Sequence, residues 1–271
     1  MPVYAEATLL GSFQWSATDP QFGGFSAIEL SADGSGFVAL TDRGSIARAA
    51  ITRSGDAITD VNVTTLRRLL GPTRAPLADE FNDSEGLAIG PDERLYVSFE
   101  GQHGVRWFDS IDTPGSELSS APAFVTMQPN ASLEALAIGP DGTLYTMPER
   151  SGRATRPFPV FRFRAGVWDQ PFEIARSGPY LISGADVGPD GRLYVLERDF
   201  SGFGFHTRVR RLDLDKATAE TLLETGIGKH GNMEGISVWQ HADGGLIMTL
   251  IADNNFRSIL TNEIAEYRID G

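Results

Sequence analysis

The chain has 271 residues, no cysteine, and 36 acidic against 23 basic side chains, which gives a formal net charge of -13. This balance argues against a nucleic-acid partner, because a phosphate backbone requires a basic patch. The absence of cysteine excludes disulfides, thiolate metal sites and cysteine nucleophiles. No run approaches the roughly 18 apolar residues that cross a bilayer, so we expect no membrane insertion.

One pattern recurs along the chain: a short apolar strand, a turn with an aspartate, and a second strand that ends near a charged residue. The copies begin at Ser26, Glu85, Glu134, Ser183 and Glu234. Their turn aspartates, Asp33, Asp92, Asp141, Asp190 and Asp243, follow one another at intervals of 49 to 59 residues. Such periods are typical of propellers with one blade per repeat. We predict an all-β chain forming one β-propeller domain over residues 1–271, with five four-stranded blades; six blades are the alternative.

Each copy has room for four strands. In the second copy they are predicted at Glu85–Ile89, Leu95–Phe99, Val105–Asp109 and Ala123–Met127. The last copy is one strand short, whereas Ala5–Trp15 precedes the first copy and has no blade of its own. We predict that this N-terminal strand pairs with the C-terminal blade and closes the ring, because an unpaired sheet edge would otherwise be exposed.

The second position of the first strand is small in every copy. The residues are Ala27, Gly86, Ala135, Gly184 and Gly235. Inner strands crowd around a propeller axis, so we expect these positions to mark the closest approach between strands.

The first position of the same strand is polar in every copy and is a glutamate in three of them, Glu85, Glu134 and Glu234. If the ring closes, these carboxylates converge at one mouth of the channel, where like charges raise one another's pKa. A hard cation is the natural counter-charge, and calcium tolerates scattered oxygen ligands better than magnesium does. Further oxygen donors precede the glutamates, at Asn82, Asp83, Asn130 and Asn232. The alternative is that the acids pair with arginines around the mouth.

The second strands return to the same mouth and carry a second group of candidates. Arginines follow the second strand in three copies, at Arg43, Arg150 and Arg198. A guanidinium group binds phosphate or carboxylate in a bidentate manner, so these arginines are expected to orient an anionic substrate. Glu149 and Glu197 precede two of them and are grouped with them as candidate catalytic residues. His230 is the candidate acid or base. The alternative is a ring of Arg–Glu ion pairs that stabilises the loops.

Two other features are expected to lie away from this mouth. Glu29 and Asp186, at the fourth position of the first strand, are expected to line the channel at greater depth. The Gly-Pro-Asp turns belong to the opposite face and are ordinary hairpin chemistry, for which we expect no function.

Motifs of other catalytic classes are missing from the sequence. It contains no Gly-x-Ser-x-Gly elbow, no Gly-rich phosphate loop and no His-Glu-x-x-His zinc motif. For a hydrolase, metal-activated water is the remaining chemistry.

The segments Asp83-Ser-Glu-Gly-Leu-Ala-Ile-Gly-Pro-Asp, Glu149-Arg150, Glu197-Arg198-Asp199, Asn232-Met-Glu-Gly-Ile-Ser and Ala252-Asp-Asn-Asn-Phe256 resemble the phytase-like propeller family, described as having esterase-like activity of phytase. The resemblance spans nearly the whole chain. It implies a secreted or periplasmic propeller that hydrolyses phosphate esters with calcium. A cytoplasmic location is the alternative, because Met1-Pro-Val-Tyr-Ala-Glu lacks a basic and then apolar leader.

The starts Glu85-Gly86 and Glu234-Gly235 are also similar to the metal-binding strand starts of gluconolactonase and paraoxonase propellers, which implies that Glu85, Glu134 and Glu234 are metal ligands. The chain departs from the phytases in having only Lys229 as a well-placed lysine, and from the lactonases in having serine at two of the five first positions.

Taken together, these observations predict a monomer that binds Ca2+ and hydrolyses a small anionic ester, most readily a phosphoester. The alternatives are a lactonase and a non-catalytic binding propeller whose metal is structural.

Overall fold

The computed structural model describes residues 7–78, 83–127, 132–255 and 261–270. Within them, strands form five antiparallel four-stranded sheets arranged as the blades of a β-propeller.

Blade 1 contains β2 (Phe25–Leu30), β3 (Gly36–Thr41), β4 (Ser45–Ser54) and β5 (Ala57–Arg68). Blade 2 contains β6 (Ser84–Ile89), β7 (Leu95–Phe99), β8 (Gly104–Phe108) and β9 (Ser116–Glu117). Blade 3 contains β10 (Leu133–Ile138), β11 (Leu144–Pro148), β12 (Phe158–Arg164) and β13 (Val167–Ile174). Blade 4 contains β14 (Leu181–Val187), β15 (Leu193–Phe200), β16 (Phe205–Asp213) and β17 (Thr218–Glu224). Blade 5 contains β18 (Asn232–Gln240), β19 (Leu246–Asp253), β20 (Asn262–Ile269) and β1 (Ala7–Trp15). The five-bladed prediction is confirmed, and the six-bladed alternative is wrong.

The two ends of the chain close the ring within blade 5. Strand β1 pairs antiparallel with β20, from Ala7 opposite Ile269 to Trp15 opposite Asn262. The predicted pairing of the N-terminal strand with the C-terminal blade is therefore confirmed. It supplies the outer strand that the last repeat lacks, so no separate blade remains for the N-terminal segment.

The outer strand of blade 2 differs from the prediction. Ala123–Met127 was expected to form it, but Pro122–Thr126 forms a 3-10 helix and the two-residue β9 pairs with β8 instead. Proline at the start of this segment lacks the N–H that a ladder requires. Phe124 then packs edge-on against Phe161 and Trp168 of blade 3, with ring centroids 5.3 and 5.1 Å away.

No helix in the described ranges has the length and hydropathy needed to span a membrane.

The hydrophobic core lies between blades. Its described residues fall into five clusters, and each cluster joins neighbouring blades. One of them brings Trp15 and Ile264 of blade 5 against Phe25 and Phe37 of blade 1, and so seals the point where the ring closes. Because each sheet is covered on both faces, its strands carry near-continuous apolar runs, such as Leu-Ala-Ile in the second and third copies.

The small residues of the inner strands lie where neighbouring strands approach most closely. A Cβ atom added to Gly86 would lie 2.6 Å from Cβ of Leu136, and one added to Gly184 would lie 2.6 Å from the Glu234 carbonyl oxygen. At Gly235 the same atom would lie 2.8 Å from Cα of Ala27. The prediction that the small second positions mark the closest approach between inner strands is therefore confirmed. Close approach of these strands brings their starts together at one end of the channel.

Candidate functional site

A β-bulge interrupts the inner strand of every blade at the start of the repeat. In blade 1 the pairing passes from Phe25 opposite Thr41 to Ala27 opposite Leu40, which leaves Ser26 outside the ladder. The other blades skip the equivalent residues: Glu85 with Gly86, Glu134, Ser183 and Glu234. A bulge re-aims a side chain out of the regular alternation. We name Ser26, Glu85, Glu134, Ser183 and Glu234 the first-strand ring.

The second strands contribute a matching set. The residue opposite the strand start is Thr41, Phe99, Pro148, Glu197 or Ala252, depending on the blade. One position further on, the chain places Asp42, Glu100, Glu149, Arg198 and Asp253. We name these five residues the second-strand ring.

Both rings surround one cavity of about 210 Å³, which we call the carboxylate mouth. Nine of the ten ring residues line it, Ser183 being the exception, together with Gly24 and Asn255. The described lining therefore carries seven carboxylates and one guanidinium group, that of Arg198. Such an excess of negative charge favours cations and disfavours anions that arrive without them.

Carboxylate oxygens within the mouth lie close enough to share a cation. One oxygen from each of Glu85, Glu134 and Glu234 lies within 4.8 Å of the others, and Glu85 also forms such a group with Asp83 and Glu100. At an effective dielectric constant of about 20, each ionised pair at this distance repels by about 3 kcal/mol. The summed repulsion of three such pairs approaches the whole free energy of unfolding of a typical domain, about 5–15 kcal/mol. The carboxylates must therefore take up protons or hold a cation.

Burial is the main cause of the raised pKa values in the mouth. It raises the pKa of Glu234 and of Glu100 to about 7, and the pKa of Asp42 and of Asp253 to about 6. For Glu85, burial and then repulsion by Glu134 and Glu234 raise the pKa well above its usual value. Asp42 Oδ1 is buried and receives no hydrogen bond in the described part of the chain. Carboxylate oxygens that lie as close together as those of Glu85, Glu134 and Glu234 are a donor set that fits a hard divalent cation.

Arg198 is the one described cationic side chain that lines the mouth. Its Nη1 donates to Glu234 Oε1 at 2.7 Å, and its Nη2 lies 3.4 Å from both Glu134 Oε1 and Glu149 Oε1. Asn232 Nδ2 also donates to Glu234 Oε1, at 2.5 Å, while Asn232 Oδ1 accepts from Arg198. Arg198 therefore neutralises the side of the mouth that holds Glu134, Glu149 and Glu234, whereas burial and the neighbouring carboxylates are the main causes of the raised pKa of Glu85.

The two serines of the first-strand ring join blades together. Ser26 donates to the carbonyl oxygen of Ser84 in blade 2, and Ser183 donates to that of Met233 in blade 5, at 2.9 and 3.0 Å. Serine thus occurs where the ring needs a hydrogen bond between blades, and the three glutamates supply the charge.

Comparison with family models assigns this architecture. The model described as "Phytase-like: Esterase-like activity of phytase" matches residues 20–256. The chain belongs to the phytase-like family. The match covers both rings of this phytase-like propeller. No curated protein sequence matches the chain.

Solved structures share the fold at low sequence identity. The PQQ-bound aldose sugar dehydrogenase from Streptomyces coelicolor is 12% identical, with a TM-score of 0.54, and the match covers 97% of this chain and 98% of that one. A protein provisionally named a gluconolactonase is 11% identical, with a TM-score of 0.51 and coverage of 97% and 93%. A Dyadobacter fermentans protein of unknown function is also 11% identical, with a TM-score of 0.51 and coverage of 90% and 76%. At these identities the likeness concerns the fold alone.

The arginines of the phytase-like chain do not occupy equivalent places, contrary to the prediction. Arg198 belongs to the second-strand ring, but Arg43 and Arg150 lie one residue beyond it and are exposed. Arg150 Nε donates to Glu149 Oε2 at 2.9 Å, so Glu149 lies between two guanidinium groups. Of the expected anion-binding arginines, one lies within the mouth and two lie outside its lining.

Glu197 lies away from the mouth, contrary to the prediction. Its carboxylate is fully buried and accepts hydrogen bonds from Nε of Arg208 and Nε of Arg210, at 2.7 and 2.8 Å. Successive strand residues face opposite sides of a sheet, so Glu197 points away when Arg198 enters the mouth.

His230 is also removed from the mouth, so the structure does not support its expected role as acid or base. Its side chain is 1% exposed, and its ring nitrogens contact Glu263 Oε1 at 2.9 Å and the Tyr267 hydroxyl at 2.5 Å, both on β20. It connects strands within blade 5.

Asn82 and Asn130 lie outside the described residues. Asp83 and Asn232 are at the mouth, but Asn232 is already engaged with Arg198 and Glu234. Sequence reasoning missed Asp42, Glu100 and Asp253 as site residues. They directly follow Thr41, Phe99 and Ala252 at the ends of the second strands. An alignment of these strand ends would have found them.

Proposed function

We propose that this protein is a divalent-cation-dependent hydrolase of a small anionic ester, with a phosphoester as the substrate class and calcium as the cation. The observation that carries the proposal is the convergence of Glu85, Glu134 and Glu234, from three blades, within 4.8 Å of one another. The enzyme family supports hydrolysis.

The residues of the mouth divide into separate roles. Glu85, Glu134 and Glu234 hold the cation, and Glu85 with Asp83 and Glu100 offers a second, adjoining group of ligands. When bound, the cation supplies positive charge that attracts the ester and polarises its phosphoryl or acyl oxygen. Arg198 and the exposed Arg150 lie on the two sides of Glu149 and orient the anion. Asp42 Oδ1, which has no donor in the described chain, accepts a proton from the attacking water.

The size and charge of the mouth define the order of binding. A cavity of about 210 Å³ lies below the range of about 300–1,000 Å³ that small-molecule sites occupy, so we expect a small substrate. The seven carboxylates of the described lining would repel a phosphate ester, so the mouth would need a bound cation before it could accept the ester. We therefore expect activity on simple phosphate monoesters to depend strictly on the divalent ion.

The test combines calorimetric calcium titration with an assay of 4-nitrophenyl phosphate hydrolysis, on wild type and Glu134→Gln. We expect Glu134→Gln to weaken calcium binding at least about tenfold and to reduce turnover in proportion. Glu117→Gln is the matched control, because it also removes a carboxylate but lies exposed on β9. Unchanged calcium affinity in Glu134→Gln would remove this glutamate from the site. Calcium binding without turnover of phosphate esters would leave the metal site standing and reject the phosphoesterase, with a lactone panel as the next assay.

A further inference from the structure

The opposite end of the channel contains a second, chemically different cavity. It has a volume of about 430 Å³ and is framed by the Gly-Pro turns that follow the inner strands, at Gly90-Pro91, Gly139-Pro140 and Gly188-Pro189. Five apolar side chains, one from each blade, contribute to its walls: Leu30, Ile89, Ile138, Val187 and Val238. We call it the turn-face pocket. Its size falls in the range of small-molecule sites, about 300–1,000 Å³.

Two carboxylates lie at this pocket, Glu29 on β2 and Asp186 on β14. They belong to blades 1 and 4, which are not neighbours in the ring, so they approach one another from different sides of the axis. Asp186 is 6% exposed, and its Oδ2 accepts a hydrogen bond from the Val238 amide at 2.6 Å. Repulsion by Asp186 adds to burial in raising the pKa of Glu29.

The described lining contains no lysine, arginine or histidine to compensate these acids. The pocket also differs from the carboxylate mouth, because all groups of three acidic ligands found among the described residues lie at the mouth. Two carboxylates between apolar walls are too few oxygen ligands for a calcium ion, which takes 6–8. They suit a cation that needs only two or three hydrogen-bond acceptors and carries its own apolar surface.

We propose that the turn-face pocket binds a small organic ammonium ion, a protonated primary amine with an aromatic or short aliphatic group. The ammonium group donates to Glu29 and Asp186, and its apolar part packs against Leu30, Ile138 and Val238. This assignment gives a function to the Gly-Pro turns, for which the sequence alone predicts only ordinary hairpins.

The pocket continues into a groove between blades 1 and 2. The two spaces share Glu29, Leu30, Ala32 and Ile89, and the groove adds about 880 Å³ lined in part by Phe37 and Leu95. An apolar substituent on the amine therefore has room to extend outward. Amines with longer apolar chains should bind more tightly than methylammonium, by about fourfold in affinity for each buried CH2 group.

The test titrates the full chain with 2-phenylethylammonium chloride at pH 7.5 in the presence of excess calcium, which occupies the carboxylate mouth. Binding is followed by calorimetry and by the fluorescence of Trp239, which lines the pocket. We expect saturable binding, and at least about tenfold weaker binding of 2-phenylethanol, the uncharged analogue of similar shape. We expect a similar loss in Glu29→Gln and in Asp186→Asn, with Glu117→Gln, exposed on β9, as the control that retains affinity.

Three results would overturn the proposal. The first is the absence of saturable binding by the ammonium ion in folded wild-type protein. The second is equal affinity for the alcohol, which would show that the pocket selects apolar shape and not charge. The third is loss of binding in Glu134→Gln with full binding in folded Glu29→Gln, which would place the ammonium ion in the carboxylate mouth. Circular dichroism of each variant separates loss of the site from loss of the fold.

Discussion

Arg198 of blade 4 donates from Nη1 to Oε1 of Glu234 in blade 5 at 2.7 Å, so the carboxylate mouth contains a cation supplied by the chain itself. This contact has two effects. It offsets repulsion among Glu134, Glu149 and Glu234 when no metal ion is bound, and it competes with a metal ion for the same oxygens.

Arg198→Gln should therefore change stability and calcium binding in opposite directions. Removing one partner of a largely buried pair typically costs about 3–5 kcal/mol, and the part-exposure of Arg198 places the expected loss at the lower end. The melting temperature without calcium should fall by about 6–12 °C. Saturating calcium should raise it by more than in wild type, because calcium no longer competes with a guanidinium group for the oxygens of Glu134 and Glu234.

Differential scanning fluorimetry in chelator and in calcium measures both effects. Arg150→Gln is the control, because its side chain is 55% exposed and surface ion pairs contribute little. An Arg198→Gln protein whose melting temperature no longer responds to calcium would show that Arg198 organises the metal ligands and does not compete with the ion.

Gly86→Ala should destabilise the ring by about 1–3 kcal/mol, the usual cost of overpacking. The added Cβ would lie 2.6 Å from Leu136 Cβ and 2.7 Å from the Leu136 amide nitrogen, and backbone cannot move aside cheaply. Gly11→Ala is the matched control, since no atom of the described residues lies within 4 Å of its added Cβ. Urea unfolding of both variants gives the comparison, and equal stabilities would contradict the close approach of blades 2 and 3.

Glu197→Gln should lower stability and leave calcium affinity unchanged. The substitution leaves Arg208 and Arg210 without a buried counter-charge. The free energy of unfolding is therefore expected to fall by about 3–5 kcal/mol. Chemical denaturation and calcium calorimetry on the same protein separate the two effects. Weakened calcium binding at unchanged stability would restore Glu197 to the functional site and contradict a purely structural role for its contacts with Arg208 and Arg210.

Asp186→Asn should raise the melting temperature at pH 7.5 but not at pH 4. Burial raises the pKa of Asp186 from 3.8 to about 6, so the folded state prefers its neutral form. Its contribution to stability is complete below pH 4 and is lost as the pH rises through about 6. Asparagine mimics the neutral form at every pH and can still accept from the Val238 amide. Melting curves from pH 4 to 8 test this, and a constant difference between the two proteins would refute it.

Much of the fold was predictable, because each copy of the repeated pattern forms one blade and the sequence contains five copies. The copy that lacks an outer strand and the unassigned N-terminal strand together predicted the closure by β1 and β20, and the small second position predicted the crowding at Gly86 and Gly184. The prediction of Ala123–Met127 as the outer strand of blade 2 was wrong because a short apolar run can form either a strand or a helical turn. Phe124 and its partners in blade 3 decided between them.

The sequence by itself determined the number of blades, the closure of the ring and the three glutamates at equivalent strand starts, because each of these follows from a repeat that can be aligned. Only the tertiary structure decided which exit residue faces the axis. Side chains alternate along a strand, so an offset of one residue sends Arg198 into the carboxylate mouth and Glu197 against Arg208 of the neighbouring strand. The tertiary structure also placed His230 against Tyr267 and set Glu29 beside Asp186, because such neighbours are far apart along the chain and meet only when the ring closes.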